Sequence, residues 1–462
     1  MKQNRLQNLL FKKSHFFKQK KDLESLINQM VQQIQDQSKN LTQVLPPKKE
    51  KVSNYQELLD SIANLRGRPL LYPYISSGLG QGPFVQLLDG SVKLDFICGI
   101  GPHILGHSHP KILRASLKGA LEDAVMLGHL QTSSIYQKLL NKLLKIASKK
   151  SNLAQAWFSP SGSMANENAL KSIRQKHKGA RKIIAFEKAF AGRTTLMSEI
   201  TANPNIKEGL PVYNEVLRVP FSIENPSLAL KTLKSHWEKE KGNISCFIME
   251  LMQGDGGCFL ANKDFFIPLL DFCKSKKIAI WFDEVQTFGR SGQFFAFEKL
   301  GLGDYVDVCT IGKAFQLSAT LWTKEYNPQP GLVSGTFAGS SSSFHSSLVV
   351  LNELEGLIEN KHIEKVGATW QRHLKNLEKE NLLSNIQGWG LMWGATPVKN
   401  KTKEVSALLG RLFQKGLICY SCGQGDIKRL RFLIPATLTQ KHLNQAASIL
   451  KSALLESLEL KS

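Results

Sequence analysis

This chain of 462 residues predicts an α/β architecture: a mostly parallel central sheet covered by helices on both faces. Apolar runs at Ile183–Phe186, Cys246–Met249, Ile278–Phe282 and Val306–Ile311 alternate with helical patterns at Met164–His177, Pro226–Glu240 and Asp264–Lys276. Strands that are apolar throughout are buried on both faces, the mark of a parallel sheet joined by crossover helices. Composition agrees. With 42% hydrophobic and 21% charged residues, the chain can bury a large core, which excludes a disordered or collagen-like polymer. Its length suggests roughly two or three domains.

In chain order, residues 1–50 form a basic N-terminal extension with ten Lys and Arg against four Asp and Glu. Met1–Lys21 carries no acid and lacks the continuous apolar run and small-residue cleavage site of a secretory signal. It is rich in Lys and Gln, where a transit peptide is rich in Arg and Ser. Asp22–Asp36 places Leu23, Leu26, Ile27, Met30 and Ile34 near helical spacing, and Leu45-Pro46-Pro47-Lys48-Lys49 reads as a linker. Phe84–Leu88, Asp89-Gly90 and Val92–Ile97 predict a hairpin about a DG turn. Helices are expected at Lys111–Leu121 and Ser134–Ala147, and a final one at Lys441–Leu458.

Three features carry chemistry. The strand Ile278–Phe282 runs into Asp283-Glu284, two carboxylates at the strand end where parallel-sheet proteins place ligand chemistry. The strand Val306–Ile311 ends in Gly312-Lys313-Ala314, where partial desolvation would make Lys313 a nucleophile toward carbonyls; a solvated charge is the plain alternative. Ser159-Pro160-Ser161-Gly162-Ser163 precedes an amphipathic helix and offers N–H groups and a dipole to a phosphate, or simply an N-cap. A reactive lysine, a carboxylate for a pyridinium nitrogen and phosphate donors together meet the needs of pyridoxal phosphate, with Phe190 as an aromatic face for its ring.

The order of motifs resembles the class-III (ω-) aminotransferases of the fold-type I pyridoxal-phosphate enzymes. The resemblance spans about residues 70–455. It rests on SGSMANENALK at Ser161–Lys171, AFAGRT at Ala189–Thr194, MELMQGDGG at Met249–Gly257, FDEVQTFGRSG at Phe282–Gly292, IGKA at Ile311–Ala314, GTFAG at Gly335–Gly339 and RFLIPATLT at Arg431–Thr439. GHSHP at Gly106–Pro110 also fits, so His107 and His109 read as scaffold and no metal is expected.

The resemblance implies that Lys313 holds the cofactor and shuttles the proton, while Asp283 pairs with its pyridinium and Gln286 lies near its phenolic oxygen. Ser161, Gly162 and Ser163 would hold the phosphate, and Thr336 would reach the phosphate of a second subunit's cofactor in a homodimer. Glu250 resembles the acid beside the cofactor pocket. Arg431 resembles the arginine that grips the α-carboxylate of 2-oxoglutarate or glutamate. Asp255 occupies the place of an acid that masks this arginine, and Arg193 is a candidate for a second substrate carboxylate. The implied domains are a segment 51–115 contributing to the small domain, a large cofactor-binding domain 116–345 and a C-terminal small domain 346–462.

Ala191 stands where the family usually has His, Leu251 replaces Pro, Asp255 replaces Glu, Phe288 follows Thr287 without the usual Gly, and Ala338 and Ser340 replace Gly and Asn. These departures bear on specificity more than on reaction type. ENALK at Glu167–Lys171, GKAFQ at Gly312–Gln316 and Trp389–Met392 look most like lysine 6-aminotransferases, so the implied donor is lysine or a related ω-amino acid.

Other readings stay open. An aminomutase, another pyridoxal-phosphate enzyme of this fold, or a catalytically silent basic binding protein would share much of this pattern. The net charge of +22 favours anionic partners. Still, no aromatic-interleaved basic stripe is present and no apolar run reaches ~18 residues, so neither nucleic acid nor membrane is expected as a partner. Cys419-Tyr420-Ser421-Cys422 is a CxxC without a second pair to complete a zinc site, and it reads as ordinary thiols. Seven Cys in a chain this long point to a reducing, cytoplasmic setting.

Overall fold

A computed structural model describes residues 16–459; the acid-free stretch before Phe16 lies outside the described residues. Helices α1 (Phe16–Ser38) and α2 (Val52–Arg66) come first. Only a narrow stripe of α1 packs inward. Ile27 and Val31, one helical turn apart, are buried, whereas Leu23, Leu26 and Met30 of the expected apolar face are exposed. Gln35 Nε2 donates to the Ser108 carbonyl at 2.8 Å, and Glu24 pairs with Lys118 at 3.0 Å, which fastens the helix to the body. The run read as a linker is fastened too. Leu45 exchanges backbone hydrogen bonds with Val92, and Lys48 N donates to Asp89 O at 2.9 Å.

Strands β1 (Ser76–Gln81), β2 (Phe84–Leu87) and β3 (Val92–Asp95) pair antiparallel, with the expected hairpin turn at Asp89-Gly90. Gly90 sits at φ +81°, a conformation costly for any residue with a Cβ, and Asp89 Oδ1 accepts from Ser91 N at 2.8 Å. β3 also pairs, in parallel, with Leu417–Ile418. An N-terminal segment and the C-terminal part therefore share a sheet.

After α3 (Pro110–Ala120) and α4 (Ser134–Ala147) comes the central sheet. Its strands are β4 (Leu153–Ser159), β5 (Lys182–Phe186), β6 (Val216–Val219), β7 (Ile244–Met249), β8 (Ala279–Glu284), β9 (Val308–Ile311) and β10 (Ser318–Thr323). They lie in the order β4-β10-β9-β8-β7-β5-β6, and β10 alone runs against its neighbours. Side chains alternate between the faces. Ala279 and Trp281 of β8 join Cys246, Ile248, Ile183 and Ala185 in a core with Leu170 and Ile173 of α5 (Gly162–Lys176). Ile280 and Phe282 join Phe247, Phe186 and Met249 on the other face, against residues of α6 (Pro226–Lys239) and α7 (Lys263–Ser275). Each fully buried Ile, Leu, Phe or Met side chain among them contributes about 1.5–3 kcal/mol.

The C-terminal part comprises α8 (Ser341–Glu359), α9 (His362–Lys379), β11 (Leu383–Trp389), β12 (Met392–Pro397), α10 (Thr402–Lys415), β13 (Tyr420–Cys422), β14 (Arg429–Leu433) and α11 (Gln440–Glu459). Its four strands form an antiparallel sheet in the order β11-β12-β14-β13. Among the described residues no helix is long and apolar enough to cross a membrane.

Candidate active site

The alternation along β8 decides which of its two terminal carboxylates can do chemistry. Asp283 continues the face of Ala279 and Trp281 and so points toward α5; Glu284 points the other way. Glu284 accepts from Thr287 Oγ1 and from Phe297 N, which ties down the chain after the strand. Asp283 accepts from Asn166 Nδ2 at 2.8 Å and from Val285 N at 3.0 Å. Burial raises the Asp283 carboxyl to about 6, against those two bonds and the Lys313 charge.

Helix α5 begins where Ser161 takes an extended backbone and its Oγ accepts from Met164 N at 3.3 Å. This cap leaves the first-turn N–H groups of Gly162 and Ser163 without intrahelical partners. Ser163 Oγ accepts from Arg193 N at 3.4 Å. Gly162 must be small. A Cβ there would stand 2.9 Å from Val285 Cγ1, and one at Gly312 would stand 3.2 Å from the same atom.

Lys313 follows Gly312 at the end of β9 with φ +46°, a left-handed conformation that costs a non-glycine residue about 1 kcal/mol or more. Burial lowers its amine to about 8, helped by the Arg431 and Arg290 guanidiniums and opposed by Asp283 and Glu250. Glu250 clamps two loops: its Oε1 accepts from Phe190 N at 2.9 Å and its Oε2 from Gly254 N at 3.0 Å. Burial and the charge of Asp283 raise its carboxyl to about 8. Gln286 Oε1 is buried without a partner, and a side chain at Gly254 would collide with it.

Ser161, Gly162, Ser163, Phe190, Glu250, Asp255, Asp283, Gln286 and Lys313 line one cavity of about 200 Å³. Arg431, on β14, is not among the residues that line this cavity, but its charge reaches Lys313. Its guanidinium lies 5.2 Å from the centre of the Tyr420 ring, is 2% exposed, and forms no ion pair among the described residues. The expected mask is therefore open: Asp255 lines the cavity but makes no ion pair with Arg431. Arg193 and Thr336 are exposed and are not part of this wall. His107, read as scaffold, contacts Asp95 Oδ2 at 2.9 Å.

Sequence reasoning missed Asn166, Val285 and Arg290. Asn166 Nδ2 also donates to the Ala191 carbonyl at 2.6 Å, so one amide orients both Asp283 and the loop after Phe190. The available signal was a polar residue on the inward face of α5. Arg290 is fully buried and donates to the Gln286 carbonyl at 3.0 Å and to the Gly101 carbonyl.

Residues 72–454 match the sequence family described as aminotransferase class-III. The acetylornithine aminotransferase of Methanocaldococcus jannaschii is 33% identical over 392 residues, covering 82% of this chain and 92% of that protein. That of Aquifex aeolicus is 30% identical over 384 residues, covering 81% and 96%. Among solved structures, lysine aminotransferase from M. tuberculosis shares the fold at a TM-score of 0.76 and 20% identity, over 86% of this chain and 99% of that one.

Proposed function

Because this chain belongs to the class-III aminotransferases, enzymes that work with pyridoxal 5′-phosphate, we propose that it moves the terminal amine of lysine or a related ω-amino acid to 2-oxoglutarate by ping-pong turnover. The observation that carries the acceptor is Arg431: a buried residue whose charge is felt at Lys313 and which has no carboxylate of its own among the described residues. Such a fork binds a substrate carboxylate bidentately. The lysine-branch motifs and the acetylornithine aminotransferase relatives both support a donor with an amine far from its α-carbon.

The cavity fits the cofactor on its own observations. Gly162 and Gly312 leave room that a Cβ would fill against Val285, and Gln286 Oε1 is a buried acceptor still without a donor. Lys313 would hold the cofactor, Asp283 would face its ring nitrogen, and Ser161, Gly162 and Ser163 would take its phosphate at the start of α5. When bound, pyridoxal phosphate supplies an aldehyde that captures the amine and an electron sink for the adjoining carbon. The chain's own work is proton management and orientation. An amine near 8 can both release and regain a proton at neutral pH, which suits Lys313 as the general base and acid. Asn166 fixes the Asp283 carboxylate, Glu250 fixes the Phe190 wall, and Arg431 sets the substrate's orientation.

Two copies are proposed as the working unit, with Thr336, exposed and outside its own cavity, serving the partner's site. A cytoplasmic location is proposed from the seven Cys, all free thiols. Purified enzyme assayed with 2-oxoglutarate against lysine, ornithine, acetylornithine and 4-aminobutyrate tests the donor. The expected result is highest kcat/KM with lysine; a many-fold preference for another donor replaces it. In the same assay Arg431→Lys should raise the KM for 2-oxoglutarate about 10- to 100-fold, because an ammonium cannot make the two parallel bonds.

The lowered Lys313 amine gives a pH test. Its nucleophilic neutral form accumulates as pH rises to about 8 and is then saturated. Capture of pyridoxal phosphate by apoprotein, followed as growth of a visible band, should therefore accelerate up to about pH 8 and level off. An ordinary lysine would keep gaining about tenfold per pH unit to about 10.

A further inference from the structure

The CxxC spacing points to the wrong partner. Cys422 ends strand β13 (Tyr420–Cys422) and Cys419 immediately precedes it, an odd spacing that turns the two side chains to opposite faces of extended chain; the thiol facing Cys422 is Cys258, with Sγ–Sγ 3.9 Å, 164 positions away in sequence. Cys258 ends the loop Gly254–Gly257 in the left-handed region, φ +54°, an uncommon state for a residue with a side chain. It fits against β12 only because residue 394 is glycine, where a Cβ would stand 2.5 Å from Cys258 Cβ. The backbone is thus held in a costly conformation that presents this sulfur to Cys422.

Two guanidiniums surround the pair. Arg429 is opposite Cys422 in the β13–β14 ladder, and both it and Arg431 are buried without an ion-pair partner among the described residues. Burial pushes the Cys422 thiol up, but the Cys258 thiol and the charges of Arg431 and Arg429 outweigh it and hold Cys422 below its ordinary value.

We propose that Cys258 and Cys422 are a redox modification site, oxidised by hydrogen peroxide to an intrachain disulfide that slows the enzyme. The Cys422 thiolate attacks one peroxide oxygen; the O–O bond breaks, hydroxide leaves and takes a proton, and Cys422 becomes a sulfenic acid. Cys258 sulfur then displaces the sulfenic hydroxyl, the S–S bond forms, and water leaves. In sum two thiols and one peroxide give one disulfide and two waters. The consequence for turnover follows from what the sulfurs are attached to. Cys258 lies three residues after Asp255 on the cavity wall, and Gly423 N, next to Cys422, donates to the Asp255 carbonyl at 2.8 Å. Drawing the sulfurs together pulls this loop against the strand pair that carries Arg431.

Holoenzyme treated with hydrogen peroxide and mapped by peptide mass spectrometry should yield a cross-linked Cys258–Cys422 peptide. kcat/KM should fall by about tenfold or more, as displacements of about an ångström do at such sites, and dithiothreitol should restore it. Cys258→Ser and Cys258→Ala should keep their activity under peroxide, while Cys419→Ser should respond like the natural chain. A Cys419–Cys422 bond, no cross-link, or a cross-linked enzyme with undiminished turnover overturns the proposal. The mapping reads the thiols directly, so its outcome is separate from whether the substrates are those proposed above.

Discussion

Lys313→Ala should reduce transamination by about a thousandfold or more and remove the visible band of the purified protein. Two losses combine in this one change. The proposed covalent hold on the cofactor would disappear, and so would the group proposed to carry the proton between substrate and cofactor. No neighbour can substitute. Arg431 and Arg290, whose charges act on Lys313, are guanidiniums that offer donors and no acceptor, and Glu250 is committed to the Phe190 and Gly254 amides. Steady-state rates and an absorption spectrum check both effects on one preparation. A variant that keeps the band and the rate would show that another lysine does the work.

Asp283→Asn should lower kcat by about 10²–10³-fold, the scale of removing one preorganised electrostatic group from a buried site. Asparagine keeps the shape and a bond to Val285 N, so the fold should survive and the lost charge should dominate. Cofactor affinity should weaken as well. The carboxyl, raised by burial to about 6, is ionised above that pH and protonated below it. Capture of pyridoxal phosphate by the natural apoprotein should therefore weaken as pH falls through about 6, while the variant, with nothing to titrate there, should show no such limb. An unaltered acid limb in Asp283→Asn would assign that titration to another group.

The inner strands β5, β7, β8 and β9 were legible because burial on both faces makes their runs uniformly apolar. The outer strands β4 and β6 were not, since an edge mixes polar residues such as Gln155 and Arg218 into short runs. β10 escaped as well, with polar residues at Ser318, Thr320 and Thr323. At the site, motif order brought out the lysine, the carboxylate and the helix start. It could not separate Asp283 from Glu284 by physics until the register placed them on opposite faces. Asn166 was passed over because an asparagine early in a helix ordinarily reads as capping. The Cys258–Cys422 pair was out of reach for another reason. Its closeness comes from a loop and a strand far apart in sequence, whereas spacing draws attention to Cys419. Arg431 was legible as a residue, but its freedom from Asp255 was not, because an ion pair depends on distances that a sequence does not state.

Lys313 is proposed as the residue joined to pyridoxal phosphate. Reducing the holoenzyme with sodium borohydride fixes the cofactor to whichever amine holds it, and proteolysis with mass mapping identifies that residue. The expected tag lies on the peptide containing Gly312-Lys313-Ala314. A tag on any other lysine, or no tag on protein that contains bound cofactor, would contradict it.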